Sequence, residues 1–160
     1  MRVLVVGGAG YIGSHMVRLL DRAGHHVVVL DNLSTGFREA VTAGTLVVGD
    51  MGDRALVEST LREHAIDSVM HFAACALVGE SVQDPGKYYQ NNVAGTLALL
   101  EAMRVVGVKK IVFSSTCATY GIPDEMPIRE GTPQDPVNPY GFSKLVCERM
   151  LEDYARAYGF

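Results

Sequence analysis

Short, almost unbroken apolar runs alternate along this chain with stretches whose apolar positions recur at helical spacing. The runs are Val3–Val6, Val27–Leu30, Leu46–Val48, Ser68–Phe72 and Lys110–Ser114, rich in valine and isoleucine. Continuous apolarity suits a parallel strand with both sheet faces covered, so these runs predict five buried strands. Between them, residues 12–23 place Ile12, Met16, Leu19 and Leu20 at helical spacing, and residues 54–64 place Leu56 and Leu61. Residues 86–106 do the same with Tyr89, Val93, Leu97, Leu100 and Met103. Strand and helix in alternation imply right-handed crossovers, hence an α/β fold with a doubly wound parallel sheet.

One stretch breaks the alternation. Residues 121–139 carry Pro123, Pro127, Pro133, Pro136 and Pro139, which predicts a long irregular surface loop of the kind that often serves function. Asn138 is placed to cap a final helix opened by Pro139 and Tyr140 and running through Leu145 and Met150 towards Tyr158.

With 160 residues, 48% of them hydrophobic and 20% charged, the chain has material for one sizeable core. We therefore expect a single domain over residues 1–160. The formal charge of −4 is dispersed, so no cationic stripe exists for nucleic acid. Cys75, Cys117 and Cys147 have no paired metal-ligand spacing, and no metal site is expected. Reduced thiols, the absence of a leader and the absence of an apolar span of about 20 residues point to a cytoplasmic chain outside the membrane.

Chemistry enters at the first turn. Gly7, Gly10 and Gly13, with Tyr11 and Ile12 between the last two, join the first predicted strand to the first predicted helix. Free N–H groups and the helix dipole at such a turn attract a pyrophosphate, so the pattern predicts a Rossmann-like dinucleotide site. Asp31 closes the second strand roughly 20 residues further on, where a carboxylate accepts the adenosine ribose hydroxyls of NAD and repels the extra phosphate of NADP. Asn32 follows it. Asp50 and Met51 after the third strand, and Phe72, Ala73 and Ala74 after the fourth, share the ligand edge of an open parallel sheet. There Asp50 is expected to meet the adenine amino group, and the two alanines to admit close approach.

Tyr140 and Lys144 are four residues apart on the final helix and so share a face, and Ser114, Ser115 and Thr116 end the fifth strand. A free tyrosine ionises near pH 10 and is a poor base at neutrality, so Tyr140 needs a cation beside it. Lys144 fits that need, and the Thr116 hydroxyl is placed to share the proton or orient a substrate oxygen.

These residues resemble the extended short-chain dehydrogenase/reductase superfamily and, within it, the UDP-glucose 4-epimerase family, over essentially the whole chain. The likeness rests on Val-Gly-Gly-Ala-Gly-Tyr-Ile-Gly-Ser-His at 6–15, Leu-Asp-Asn-Leu-Ser at 30–34 and His-Phe-Ala-Ala at 71–74. More specific are Val-Gly-Glu-Ser-Val at 78–82, Tyr-Tyr-Gln-Asn-Asn-Val at 88–93, Phe-Ser-Ser-Thr-Cys-Ala-Thr-Tyr-Gly at 113–121 and Asn-Pro-Tyr-Gly-Phe-Ser-Lys at 138–144. The resemblance implies that Gly7, Gly10, Tyr11, Ile12, Gly13, Asp31, Asn32, Asp50 and Met51 hold the adenosine diphosphate part of NAD. Phe72, Ala73, Ala74, Asn91, Ser114, Thr116, Tyr140 and Lys144 would surround its nicotinamide end. It further implies a UDP-sugar substrate oxidised at C4 to a 4-keto intermediate, rotated and reduced on its other face, and a homodimer built on the two longest helices. Cys117 and Ala118 stand where related dehydratases carry Asp-Glu, which disfavours dehydration. Other nucleotide-sugar epimerases, decarboxylases and a non-catalytic NAD-binding module remain alternatives. Val6 replaces a common Thr, and Ala76 a Lys that some relatives place near the cofactor. The chain has about half the family's usual length, so it is expected to lack the substrate domain and to be inactive alone.

Overall fold

The apolar runs become strands β1 (Arg2–Val6), β2 (His26–Asp31), β3 (Thr45–Val48), β4 (Ser68–His71) and β5 (Ile111–Phe113) of one parallel sheet, ordered β3-β2-β1-β4-β5. The structure is a computed structural model that describes every residue, 1–160. Helices α1 (Tyr11–Arg22), α2 (Arg54–Glu63), α3 (Val78–Gln83), α4 (Pro85–Tyr88), α5 (Gly95–Val106) and α6 (Pro139–Tyr158) flank it. The central strand β1 pairs with β2 on one side and β4 on the other, Val3 lying opposite both Val27 and Ser68. The chain therefore winds outward to β3, crosses back and winds the other way. This reversal opens a crevice at the carboxyl ends of β1 and β4, where such sheets bind ligands.

The apolar runs are continuous because each face of the sheet has its own core. Leu4, Val6, Val28 and Leu30 pack with Val57 and Leu61 of α2 and Leu99, Leu100 and Met103 of α5. Val3, Val5, Val27 and Val29 point the other way, onto Val17 of α1. Complete burial of each such side chain contributes about 1.5–3 kcal/mol.

Three expectations change. The stripe that α1 buries is Gly13, Val17 and half-buried Leu20; Ile12 and Leu19 are exposed and Met16 is only half-buried. Gly13 decides this, since its bare face meets the glycine turn. The outer strands are not fully covered either: Val48 of β3 and Val112 of β5 are exposed, because each strand has one neighbour and no helix over that side chain. Finally, residues 86–106 are helical throughout but not uniformly α-helical. The side chain of Asp84 accepts the Lys87 N–H at 3.2 Å and Pro85 opens a fresh turn, so α4 starts anew after α3. A π-helical segment, Tyr89–Ala94, then links α4 to α5.

The loop is irregular over 121–138, as its prolines require, and Pro139 belongs to α6. Asn138 caps α6 as expected, its Oδ1 accepting the Gly141 N–H at 2.8 Å with Pro139 in the first turn. No helix is long and apolar enough to cross a membrane.

Candidate active site

A cleft of about 580 Å³ lies over the carboxyl edge of the sheet. Of the residues assigned to a dinucleotide, Gly7, Gly10, Tyr11, Ile12, Gly13, Asp31, Asn32, Asp50, Met51, Phe72, Ala73, Ala74 and Asn91 line it. Ser114, Thr116, Tyr140 and Lys144 lie outside that lining, in a second group farther along the same edge.

The glycine turn is shaped by close approach. Gly7 has φ of +80°, and a Cβ there would sit 2.5 Å from the Ala73 backbone N, while one on Gly13 would overlap the Gly7 carbonyl oxygen. Gly10 begins α1 without any side-chain cap, which leaves the helix's first N–H groups to face the cleft. A bulkier turn would fill the space a diphosphate needs, so the cradle fits that group.

Asp31 is buried and is not the solvated turn residue that its position alone would allow. Its Oδ2 accepts the Ala9 N–H at 2.9 Å and its Oδ1 the Leu33 N–H at 2.8 Å. These bonds tie the glycine turn to the end of β2 and still leave lone pairs for ribose hydroxyls. Asn32 donates to Asp50 Oδ2 at 2.8 Å, and Asp50 Oδ1 accepts the Gly52 N–H at 2.8 Å. Asp50 therefore braces the ends of β2 and β3, and each of its oxygens already holds a partner. Met51 is buried as part of the floor, with its Cε beneath Gly95.

In the second group, α6 begins hard against the turn after β5. A Cβ on Gly141 would overlap the Ala118 carbonyl oxygen, so only glycine lets the helix come this close. Tyr140 is half-buried there, its ring edge-to-face with that of fully buried Tyr88 at 6.4 Å between centroids. Thr116 caps a 3-10 turn, Cys117–Tyr120, its Oγ1 accepting the Ala118 N–H at 3.2 Å. That hydroxyl keeps its own proton to donate. Ser114 is held by its N–H to the His71 carbonyl at 3.0 Å.

Lys144 is only 3% exposed. Its Nζ sits 4.3 Å from the centroid of the Phe113 ring, and burial lowers its pKa to about 8. His71, at the end of β4, packs its ring 5.4 Å from Phe113 and binds Thr96 Oγ1 through Nε2 at 3.0 Å. Burial, aided by the Lys144 charge, pushes its pKa down to about 3, so it is neutral near pH 7. Its Nδ1 is buried without a partner.

Asn92 joins the two groups, and sequence reasoning passed it over for its neighbour Asn91. Its Oδ1 accepts the Cys75 N–H at 2.8 Å, and its Nδ2 donates to the Cys75 carbonyl and to Ser143 Oγ, both at 3.0 Å. Ser143 in turn donates to the Tyr140 carbonyl at 2.7 Å. The signal available was a pair of amides inside an otherwise amphipathic helical pattern. Glu148 was missed as well: it accepts from Ser115 Oγ and, at 2.6 Å, from Gln134 Nε2, which pins the β5 end and the proline-rich loop to α6. Cys75, Glu80 and Lys87 also line the cleft wall; Cys75 and Lys87 carried no motif, and Glu80 lies within Val-Gly-Glu-Ser-Val but was given no role.

Comparison with known proteins bears on the family and the fold. The model of the NAD dependent epimerase/dehydratase family matches residues 3–160. A UDP-glucose 4-epimerase of Streptococcus mutans is 56% identical over 162 residues, covering 99% of this chain and 49% of the relative. The crystal structure of UDP-glucose 4-epimerase from Brucella ovis in complex with NAD superposes with a TM-score of 0.98 at 55% identity, over 99% of this chain and 49% of that one. A UDP-glucose 4-epimerase from Thermotoga maritima with UDP-glucose gives 0.96 at 39% identity, over 100% and 53%. The chain spans about half the length of the curated relatives it matches.

Proposed function

Because this chain belongs to the NAD dependent epimerase/dehydratase family, we propose that it is the NAD-binding domain, residues 1–160, of an isomerase that interconverts UDP-glucose and UDP-galactose at C4. The relatives with that name and the neighbours holding NAD or UDP-glucose support the reading. The adenosine ribose would bind the free lone pairs of Asp31, and the diphosphate the N–H groups of the glycine turn. Phe72, Ala73, Ala74 and Asn91 would continue the cleft towards the nicotinamide end, with Ser114 at its margin.

Bound NAD supplies the hydride acceptor, and later donor, for the sugar carbon. The protein's own part is the proton. Tyr140 would take the C4 hydroxyl proton, Thr116 would hold that oxygen by donating a hydrogen bond, and Lys144 would favour the tyrosinate by its charge. Loss of the proton and of hydride leaves a 4-keto sugar, and the reverse transfers after rotation give the other epimer. His71, neutral and uncharged, leaves Lys144 as the cation of this group.

The observation that supports this most is the contact between Gly141 and Ala118, which brings the first turn of α6 to the turn that carries Thr116. The test is made in a chain extended to the length of the relatives, since these 160 residues are not expected to hold a UDP-sugar productively alone. There Tyr140→Phe should lower interconversion at least 100-fold, about 3 kcal/mol of barrier, with NAD still bound. Turnover near that of the unsubstituted enzyme would remove Tyr140 from the mechanism.

A further inference from the structure

We propose that Lys87 is a phosphate-binding residue of the cleft, partnered by Glu80 and exchangeable onto the diphosphate of the dinucleotide. The proposal rests on the dinucleotide reading above. Its starting point is charge. The lining carries three carboxylates, Asp31, Asp50 and Glu80, and one cation, Lys87. The glycine turn offers a diphosphate only backbone N–H groups and the α1 dipole, so Lys87 is the one side chain there able to offset its charge.

Position agrees. Gly7 abuts Ala73, Cys75 lies two residues further along the same wall, and Lys87 completes that wall from α4. The base of the side chain is fixed, because Asp84 holds the Lys87 N–H at 3.2 Å, while its four-carbon stem is free to swing.

The pairing with Glu80 suits exchange. Lys87 Nζ lies 2.6 Å from Glu80 Oε1, with the two side chains 46% and 36% exposed. A pair this exposed to water contributes little stability and is readily given up. Glu80 does not lose all its contacts when Lys87 leaves, because its Oε2 lies 2.8 Å from the hydroxyl of buried Tyr88. A plain surface ion pair between α3 and α4 would need none of this, and would not affect a ligand's phosphates.

The experiment is calorimetric titration of the chain with NAD, beside amide chemical-shift titration with adenosine, which lacks phosphate. Lys87→Met should weaken NAD by about 10–100-fold, the range of one charge-assisted hydrogen bond, and leave adenosine unchanged. Lys87→Arg should restore NAD to within about threefold. Glu80→Gln should tighten NAD, since it removes the competing carboxylate. NAD affinity within twofold of the unsubstituted chain in Lys87→Met, an equal loss for adenosine, or weaker NAD binding in Glu80→Gln would each overturn the proposal. Failure of the unsubstituted chain to bind NAD would instead sink the dinucleotide reading on which it stands.

Discussion

Burial leaves the Lys144 ammonium facing the Phe113 ring, and its pKa falls from 10.5 to about 8. The sign of the consequence follows from linkage. Below pH 8 the lysine is charged in both folded and unfolded chains, and the folded state carries the cost of a buried cation. Between about 8 and 10.5 the unfolded chain still holds the proton and the folded one has released it, so this group's contribution to stability rises with pH. Burial raises the Cys75 and Cys147 thiols, which works in the opposite direction. The informative quantity is therefore the difference between the unsubstituted chain and Lys144→Met in urea unfolding from pH 7.5 to 10. That difference should shift in favour of the unsubstituted chain as pH rises; a difference independent of pH would refute the buried-cation account.

At the scale of elements, the π-helical turn and the first turn of α6 are held to the β4 end by one amide. Asn92→Ala would remove four side-chain hydrogen bonds, the one from Asn91 Nδ2 among them, and leave the Cys75 N–H and carbonyl unpaired in a half-buried setting. The expected loss is about 2–4 kcal/mol of unfolding free energy, measured in urea, with Asn91→Ala costing far less. Equal costs would mean that Asn92 is not the joint described. The same region shows where sequence stops being informative. Gly7, Gly13, Asp31, Tyr140 and Lys144 could be picked out because their chemistry is tied to short spacings, in the turn between β1 and α1, at the end of β2, and on one face of α6. Asn92 and Ser143 are 51 residues apart and their partnership exists only after folding. Likewise the helical stretch over residues 86–106 was legible from its apolar count, but nothing in that count marks the π-helical segment Tyr89–Ala94 within it. The α1 stripe was misassigned for a related reason: Gly13, with no side chain to count, is the point of closest approach.

At the scale of the whole molecule, α5 and α6 carry more apolar surface than the sheet uses. Leu97 and Phe142 are 43% and 47% exposed, and Tyr89 packs edge-to-face on Phe142 at 6.4 Å. The homodimer that the family resemblance implies would use this remaining surface, pairing the two helices about a two-fold axis. Sedimentation equilibrium should then show a dimer that Leu97→Glu dissociates, and a monomer at every concentration would refute it. The sheet itself has a strong polarity of function: both faces are core, and the carboxyl edge holds every residue assigned to chemistry. β5 ends the sheet with one neighbour, so its outer edge is open to a further strand.

The central claim is that this edge binds NAD through the glycine turn and Asp31. Titration calorimetry of the chain with NAD and with NADP, under one set of conditions, tests it most directly. Asp31 is buried and committed to two backbone N–H groups, so it cannot swing away from an added 2′-phosphate. The expected result is one NAD per chain, with NADP at least tenfold weaker, a difference of about 1.4 kcal/mol. NADP binding as tight as NAD, or no saturable binding of either, would contradict it.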